Sequence, residues 1–272
     1  MTLRLTIIAL LLTTLTAGAW TQQMLMREAY ARRGAAVSAW TPSNTVTALW
    51  FNENSWQTTN SISVTNAIDL SGNGWNAKQS TVSKQPYITN AIAGKSVLYF
   101  DGGDALTRDN ALQTTLFRNQ SNGVIFAVVR PKPKATTSSI FSCSQGGGSS
   151  TRLQMFYVNT NVVQAGGRRL DADSYQSINV TNSAASDLVM LVVVAEYGRS
   201  NLQIRVNGTA YNGAFQTPGA VQNANSLYMS LGADYSGATP SFQGWFAEMF
   251  VTYSTNDITD GETYLRNRWG TP

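Results

Sequence analysis

The chain has 272 residues, 43% hydrophobic and 10% aromatic, which is enough apolar side chain for a sizeable core and too much for a disordered polymer. Charged residues make up only 12%, against a usual share of about 25%, so Ser, Thr, Asn, Gln and Gly must cover the surface. With a net charge of +4 and no basic run longer than Arg32-Arg33 and Arg168-Arg169, which read as solvated loop charges, a nucleic-acid partner is excluded.

The first 38 residues differ from the rest. Leu5 to Met26 carries no charge, and three readings compete for it. A secretory signal fits Arg4, the apolar run and the small-x-small site Ala17-Gly18-Ala19. A membrane anchor fits less well, because the strongly apolar part falls short of the about 20 residues a span needs and Gln22 and Gln23 sit late in it. A retained helix that packs with other copies fits the seam of Leu5, Ile8, Leu12 and Leu15. This assembly segment is the reading carried forward, with the signal as runner-up and the anchor last.

From residue 39 the sequence reads as short strands set between turns. The clearest are Val46–Phe51, Val97–Phe100, Val124–Arg130, Leu153–Val158, Leu188–Glu196, Leu202–Asn207, Ser226–Leu231 and Gly244–Tyr253. Asp69-Leu70-Ser71-Gly72-Asn73-Gly74, the glycine run at 146–148 and Asn207-Gly208 punctuate them. Leu188 to Ala195 has no polar alternation and belongs in mid-sheet with both faces covered, whereas Leu202 to Val206 alternates and turns Gln203 and Arg205 outward. Cys143, the only cysteine, lies in the apolar alternation Ile140-Phe141-Ser142-Cys143 and reads as a small buried side chain. The one helical pattern of this part is Asp257 to Trp269. Asn256 or Asp257 caps it, Asp260 and Glu262 suit its positive end, Arg266 and Arg268 its negative end, and Gly270 stops it. The spacing predicts an all-β fold: a two-sheet antiparallel sandwich at 39–272, preceded by an N-terminal helical segment at 1–38 and closed by a short C-terminal helix.

Four segments together resemble the concanavalin A-like lectin/glucanase superfamily, in the laminin-G-like branch common in bacterial surface and bacteriophage proteins. They are Trp40-Thr41-Pro42 leading to Ala48-Leu49-Trp50-Phe51-Asn52, Asp69 to Ala77, Gly94 to Leu106, and Tyr264 to Gly270. The resemblance implies a jelly roll whose first and last segments lie side by side.

Hydrolases of that superfamily carry a Glu-x-Asp-x-Glu strand that sets alternate carboxylates on one face, and no such triplet occurs here. Asp101 with Asp104 and Asp171 with Asp173 come nearest, both in turns. The chain has no histidine, which removes Ser-His and Cys-His nucleophile systems, and no glycine-rich loop carries the lysine that would cradle phosphate. No enzymatic activity and no obligatory cofactor are therefore expected. For sugar binding, Trp75 with Asn73 and Asn76, and Tyr235 with Asp234, combine an aromatic face with amide or acid. Asp101 and Asp104 could offer oxygen ligands to calcium, although turn shaping is the commoner use of such a pair. The functional expectation is a non-enzymatic bacteriophage virion protein, a decoration or fibre component of head or tail. It would be a homo-oligomer contacting other virion proteins and a cell-surface glycan. The alternative is a secreted bacterial carbohydrate-binding protein with a cleaved signal.

Overall fold

The computed structural model describes residues 40–58, 60, 62–108, 116–132, 134–144, 153–181, 187–215, 218–219, 228–234 and 242–272. All lie in one of two units, Trp40–Pro272. The helical segment expected at 1–38, with Leu5, Ile8, Leu12 and Leu15, lies outside the described residues, as does Tyr235.

In chain order the strands are β1 (Thr47–Phe51), β2 (Trp56–Thr58), β3 (Val64–Ala67), β4 (Ala77–Lys78), β5 (Tyr87–Ile92), β6 (Lys95–Asp101), β7 (Leu106–Arg108), β8 (Asn122–Pro131) and β9 (Ser138–Ser144). Then follow β10 (Leu153–Tyr157), β11 (Val162–Gly167), β12 (Gln176–Thr181), β13 (Val189–Glu196), β14 (Asn201–Val206), β15 (Thr209–Ala214), β16 (Tyr228–Leu231) and β17 (Gln243–Thr252), and the helix α1 (Ile258–Trp269). They form two antiparallel sheets, one of eight strands ordered β15-β14-β13-β8-β17-β6-β5 with β1 also on β17, and one of nine ordered β12-β11-β10-β9-β16-β7-β4-β3-β2.

The organising strand of the first sheet is β17. One edge pairs with β8 along its length; the other pairs with β6 through Gln243 to Phe246 and then with β1 through Met249 to Thr252. At the handover the β8 register slips between Phe246 and Glu248, a bulge that turns Ala247 and Glu248 toward the same, outer side. The first and last strands are thus neighbours.

Between the sheets lies the main core, with Leu98 and Phe100 of β6, Ile125, Ala127 and Val129 of β8, Phe141 and Cys143 of β9, and Phe246 and Met249 of β17. A second apolar layer covers the outside of the eight-stranded sheet: Phe126, Val128, Met190, Val192 and Phe250 meet Leu265 and Trp269 of α1. That second layer explains why β13 has no polar alternation: its neighbours are β8 and β14, and both its faces are covered. In β14, by contrast, alternate residues are buried, and both residues of the Asn207-Gly208 turn have positive φ (51° and 88°), the two-residue hairpin conformation.

Several expectations need correction. Arg205 leaves the core as expected, but it meets Glu262 of α1 at 2.7 and 3.1 Å, so Glu262 is buried in an ion pair and does not simply face the helix dipole. Asp257 occupies the N-cap of α1 without a side-chain cap bond, because its carboxylate accepts from Thr45 Oγ1 at 2.8 Å; Ser254 caps the preceding 3-10 turn instead. Arg168 and Arg169 are not free loop charges either. Arg168 Nη1 donates to Asp173 O at 3.0 Å, and Arg169, 13% exposed, lies 3.6 Å from the Asp173 carboxylate. Among the described residues no helix is long and apolar enough to cross a membrane.

Candidate functional site

The loop between β3 and β4 is built on one carboxylate. Asp69 Oδ1 accepts from the amides of Trp50 (3.0 Å) and Ser71 (2.9 Å); Oδ2 accepts from Ser71 Oγ (2.8 Å) and the Trp75 amide (2.9 Å). Asn76 Oδ1 takes the Asp69 amide at 2.8 Å, and Asn73 Nδ2 reaches the carbonyls of Thr47 and Ala48 at 3.1 Å each. Gly72 and Gly74, at φ 84° and 72°, supply the left-handed residues the turn requires. The loop is thereby sewn to the start of β1 and carries Trp75, half-buried against the main core.

Arg108, the last residue of β7, lies 4.4 Å from the Trp75 ring centroid and donates to Gly74 O. Burial lowers its pKa, and the Asp69 carboxylate acts in the opposite sense. The guanidinium therefore covers part of the indole and fixes its orientation.

Beside this loop lies a groove of about 590 Å³, within the range of about 300–1,000 Å³ usual for small-ligand sites. One wall is Val46, Thr47 and Ala48 with Asn73 and Trp75; the other is Arg118, Asn119 and Gln120, and Tyr253 follows β17 into it. Tyr253 donates its hydroxyl to Leu116 O, and burial pushes its pKa up to about 12, so it stays a neutral phenol that holds the second wall. Asn119 takes the left-handed conformation at φ 58° within the Arg118–Gln120 segment. Arg118 and Asn119 are exposed, and Arg118 has no ion-pair partner among the described residues. Val46, 82% exposed, gives the rim an apolar edge. The groove thus offers aromatic and apolar surface next to an unpaired guanidinium and two amides.

Of the residues named from sequence, Trp75 and Asn73 line this groove, while the Asn76 carbonyl oxygen is committed to the loop backbone. Asp234 is half-buried. Asp101 and Asp104 shape their own turn: Asp104 Oδ2 accepts the Asp101 amide at 2.8 Å, and Asp101 Oδ1 accepts the Gly103 amide at 2.7 Å. Burial raises the Asp104 carboxyl to about 6. No group of three or more His, Cys, Asp or Glu that could hold a metal occurs among the described residues. Arg118, Asn119, Gln120 and Tyr253 escaped the sequence reading. Their one signal was Arg118-Asn119-Gln120-Ser121-Asn122, a polar run between Phe117 and Gly123.

Elsewhere the carboxylates are also engaged. Glu248, fully buried, accepts from Trp50 Nε1 (2.7 Å), Tyr264 Oη (2.9 Å) and Trp269 Nε1 (2.7 Å). Arg268 Nε lies 2.9 Å away as an ion-pair contact without hydrogen-bond alignment, and a second nitrogen of Arg268 bonds Glu53. Burial raises the Glu248 pKa, and those donors and Arg268 counteract it. Glu196 accepts from Asn201 Nδ2 at 2.7 Å and lies 3.5 Å from Arg199.

No protein-family model matches the chain, and no curated protein does. Solved structures do. The binding domain of botulinum neurotoxin serotype D superposes with a TM-score of 0.55 at 13% identity over 86% of this chain and 56% of that one. The neurotoxin DC binding domain in complex with rat synaptotagmin II gives 0.52 at 11% identity over 83% and 52%. A neurotoxin type C structure, from work on cell entry that depends on two ganglioside molecules, gives 0.50 at 12% over 82% and 52%. This chain spans about half the length of each. At such identities the likeness is one of fold: a two-sheet antiparallel β-sandwich.

Proposed function

We propose that this β-sandwich is a non-enzymatic glycan-binding module and that the groove between the 69–76 loop and Arg118–Gln120 receives the sugar. The observation that carries the reading is the combination on one groove of Trp75, Tyr253 and Val46 with Arg118, Asn119 and Gln120. A saccharide has the same mixed character, with apolar C–H faces rimmed by hydroxyls that need amide and guanidinium partners. Proteins similar in fold point the same way, since the toxin type C structure concerns ganglioside-dependent entry. The non-enzymatic part is supported by the engagement of Glu248, Glu196, Asp69, Asp101, Asp104 and Asp173 in internal hydrogen bonds and by the lack of histidine in the sequence. A glycan array probed with the wild type and with Arg118→Ala and Gln120→Ala tests it. Binding that both variants weaken supports the groove; no binding, or binding that neither changes, removes it.

The finer setting we propose is display on a bacteriophage surface as a homo-oligomer of concanavalin A-like jelly rolls, assembled through residues 1–38. Its support is the uncharged run Leu5 to Met26, the charge-poor sequence and the pairing of β1 with β17. A native N-terminus at Met1 or Thr2 by mass spectrometry, and loss of the oligomer on deleting residues 1–33, are the expected results. A start at Trp20 would replace this setting with export.

A further inference from the structure

On the outer face of the eight-stranded sheet, beyond the part that α1 covers, four directly cross-paired residues form a row across β5, β6, β17 and β8: Tyr87, Tyr99, Trp245 and Arg130. Tyr87 and Tyr99 lie 4.9 Å apart between ring centroids, and Tyr99 meets Trp245 edge-on at 5.0 Å. Arg130 lies 5.6 Å over the Trp245 ring. Lys132, exposed, lies 5.0 Å from the Tyr99 ring and 5.6 Å from Trp245, and donates to Tyr99 Oη at 2.8 Å.

Neither cation has an ion-pair partner among the described residues. The carboxylates that act electrostatically on Tyr87 are Asp101 and Asp104, and both accept amides of their own turn. The face presents two cations outside any ion pair among the described residues, on an aromatic shelf whose outer member, Tyr87, is 37% exposed while Tyr99 is 7% exposed. A cation held over a ring keeps its N–H groups directed away from the ring, and a carboxylate can take them without displacing the contact.

We propose that this shelf is a second binding site, separate from the groove, for an acidic oligosaccharide: one sugar ring seats on Tyr87 while the carboxylate of a neighbouring sugar is held by Lys132 and Arg130. The charge and the aromatic surface each select part of that ligand. A neutral sugar leaves both cations unmatched. Stacked nucleic-acid bases need parallel ring faces, but successive rings here are tilted by 46° and 61°.

The test is calorimetric titration of the full chain with tetragalacturonate and with its fully methyl-esterified, uncharged form. Tetragalacturonate should bind; the ester should bind at least about tenfold more weakly, as should tetragalacturonate to Lys132→Gln and to Tyr87→Ala, the loss of one charge-assisted contact or of the ring seat. Arg199→Ala, at an exposed cation beyond the opposite end of β13, should leave this binding unchanged. Lys132 and Tyr87 are exposed enough for the variants to fold, and a thermal melt verifies it. Absence of binding, equal binding of the ester, indifference to either variant, loss through Arg199→Ala, or equally tight binding of oligothymidylate would each overturn the proposal. None of these outcomes decides the groove, whose test uses different variants.

Discussion

Gly261 of α1 rests directly against the ring of Phe126 in β8, so that a methyl group on its Cα would sit 2.6 Å from Phe126 Cε1. Phe126 cannot retreat easily, because it stacks on Phe250 at 4.4 Å between centroids. In an exposed helix, replacing Gly by Ala stabilises by about 1 kcal/mol. Here the sign should reverse. Gly261→Ala is expected to lose about 1–3 kcal/mol through overpacking, measured by urea denaturation. A gain would mean that α1 is not pressed onto the sheet.

Glu248 is the second point at which α1 is fixed, through Tyr264, Arg268 and Trp269. Removing the carboxylate strands two indole donors and the Tyr264 hydroxyl and leaves Arg268 with Glu53 alone. Glu248→Ala should cost about 3–5 kcal/mol in chemical denaturation. Replacing exposed Arg199, 82% open to solvent beside Glu196, should change stability by less than about 0.5 kcal/mol.

Asp104 gives a pH signature of defined sign. Its folded pKa, about 6, lies above the ordinary 3.8, so the folded state holds the proton more tightly than the unfolded state. Its contribution is therefore most favourable below pH 3.8, falls through the window from 3.8 to about 6, and is flat above it. Asp104→Asn keeps an acceptor for the Asp101 amide without the charge. Its stability relative to wild type should improve by about 1–2 kcal/mol between pH 4 and pH 7 in parallel urea melts. A difference that does not change with pH would show that the carboxyl titrates normally.

The Asn207-Gly208 turn tests the hairpin reading. A Cβ on Gly208, at φ 88°, would lie 2.3 Å from Arg266 Nη2. Gly208→Ala should cost about 1–2 kcal/mol in a thermal or urea melt, the price of a left-handed alanine next to a displaced arginine.

Most long strands were legible because burial on both faces leaves a continuous apolar run, as in β13, or a clean alternation, as in β14. However, β9, buried along its length, was not, since Ser138, Ser139, Ser142 and Ser144 break its apolar run. Strands such as β2, β4, β7 and β15 were not, being short or built from residues such as Thr209-Ala-Tyr-Asn-Gly-Ala214 that no core requires. The Asp69 loop could be read as a turn from its glycines, but the use of Asn73 and Asn76 could not, since an amide that braces a backbone looks the same in sequence as one that awaits a ligand. Glu248 was hidden for a related reason. Its partners Trp50, Tyr264, Arg268 and Trp269 converge only after β17 has been bordered by β1 and α1 has folded back over the sheet. The shelf of Tyr87, Tyr99, Trp245 and Arg130 is likewise a product of register across four strands.

That β17 lies between β8 on one side and β6 and β1 on the other has a consequence for synthesis. Residues 243–252 follow every other described strand in the chain, so until they are made β8, β6 and β1 each keep one border without its partner. Every nascent chain must carry those borders, shielded or at risk of clumping, until β17 arrives, and completion of the eight-stranded sheet waits on that one segment.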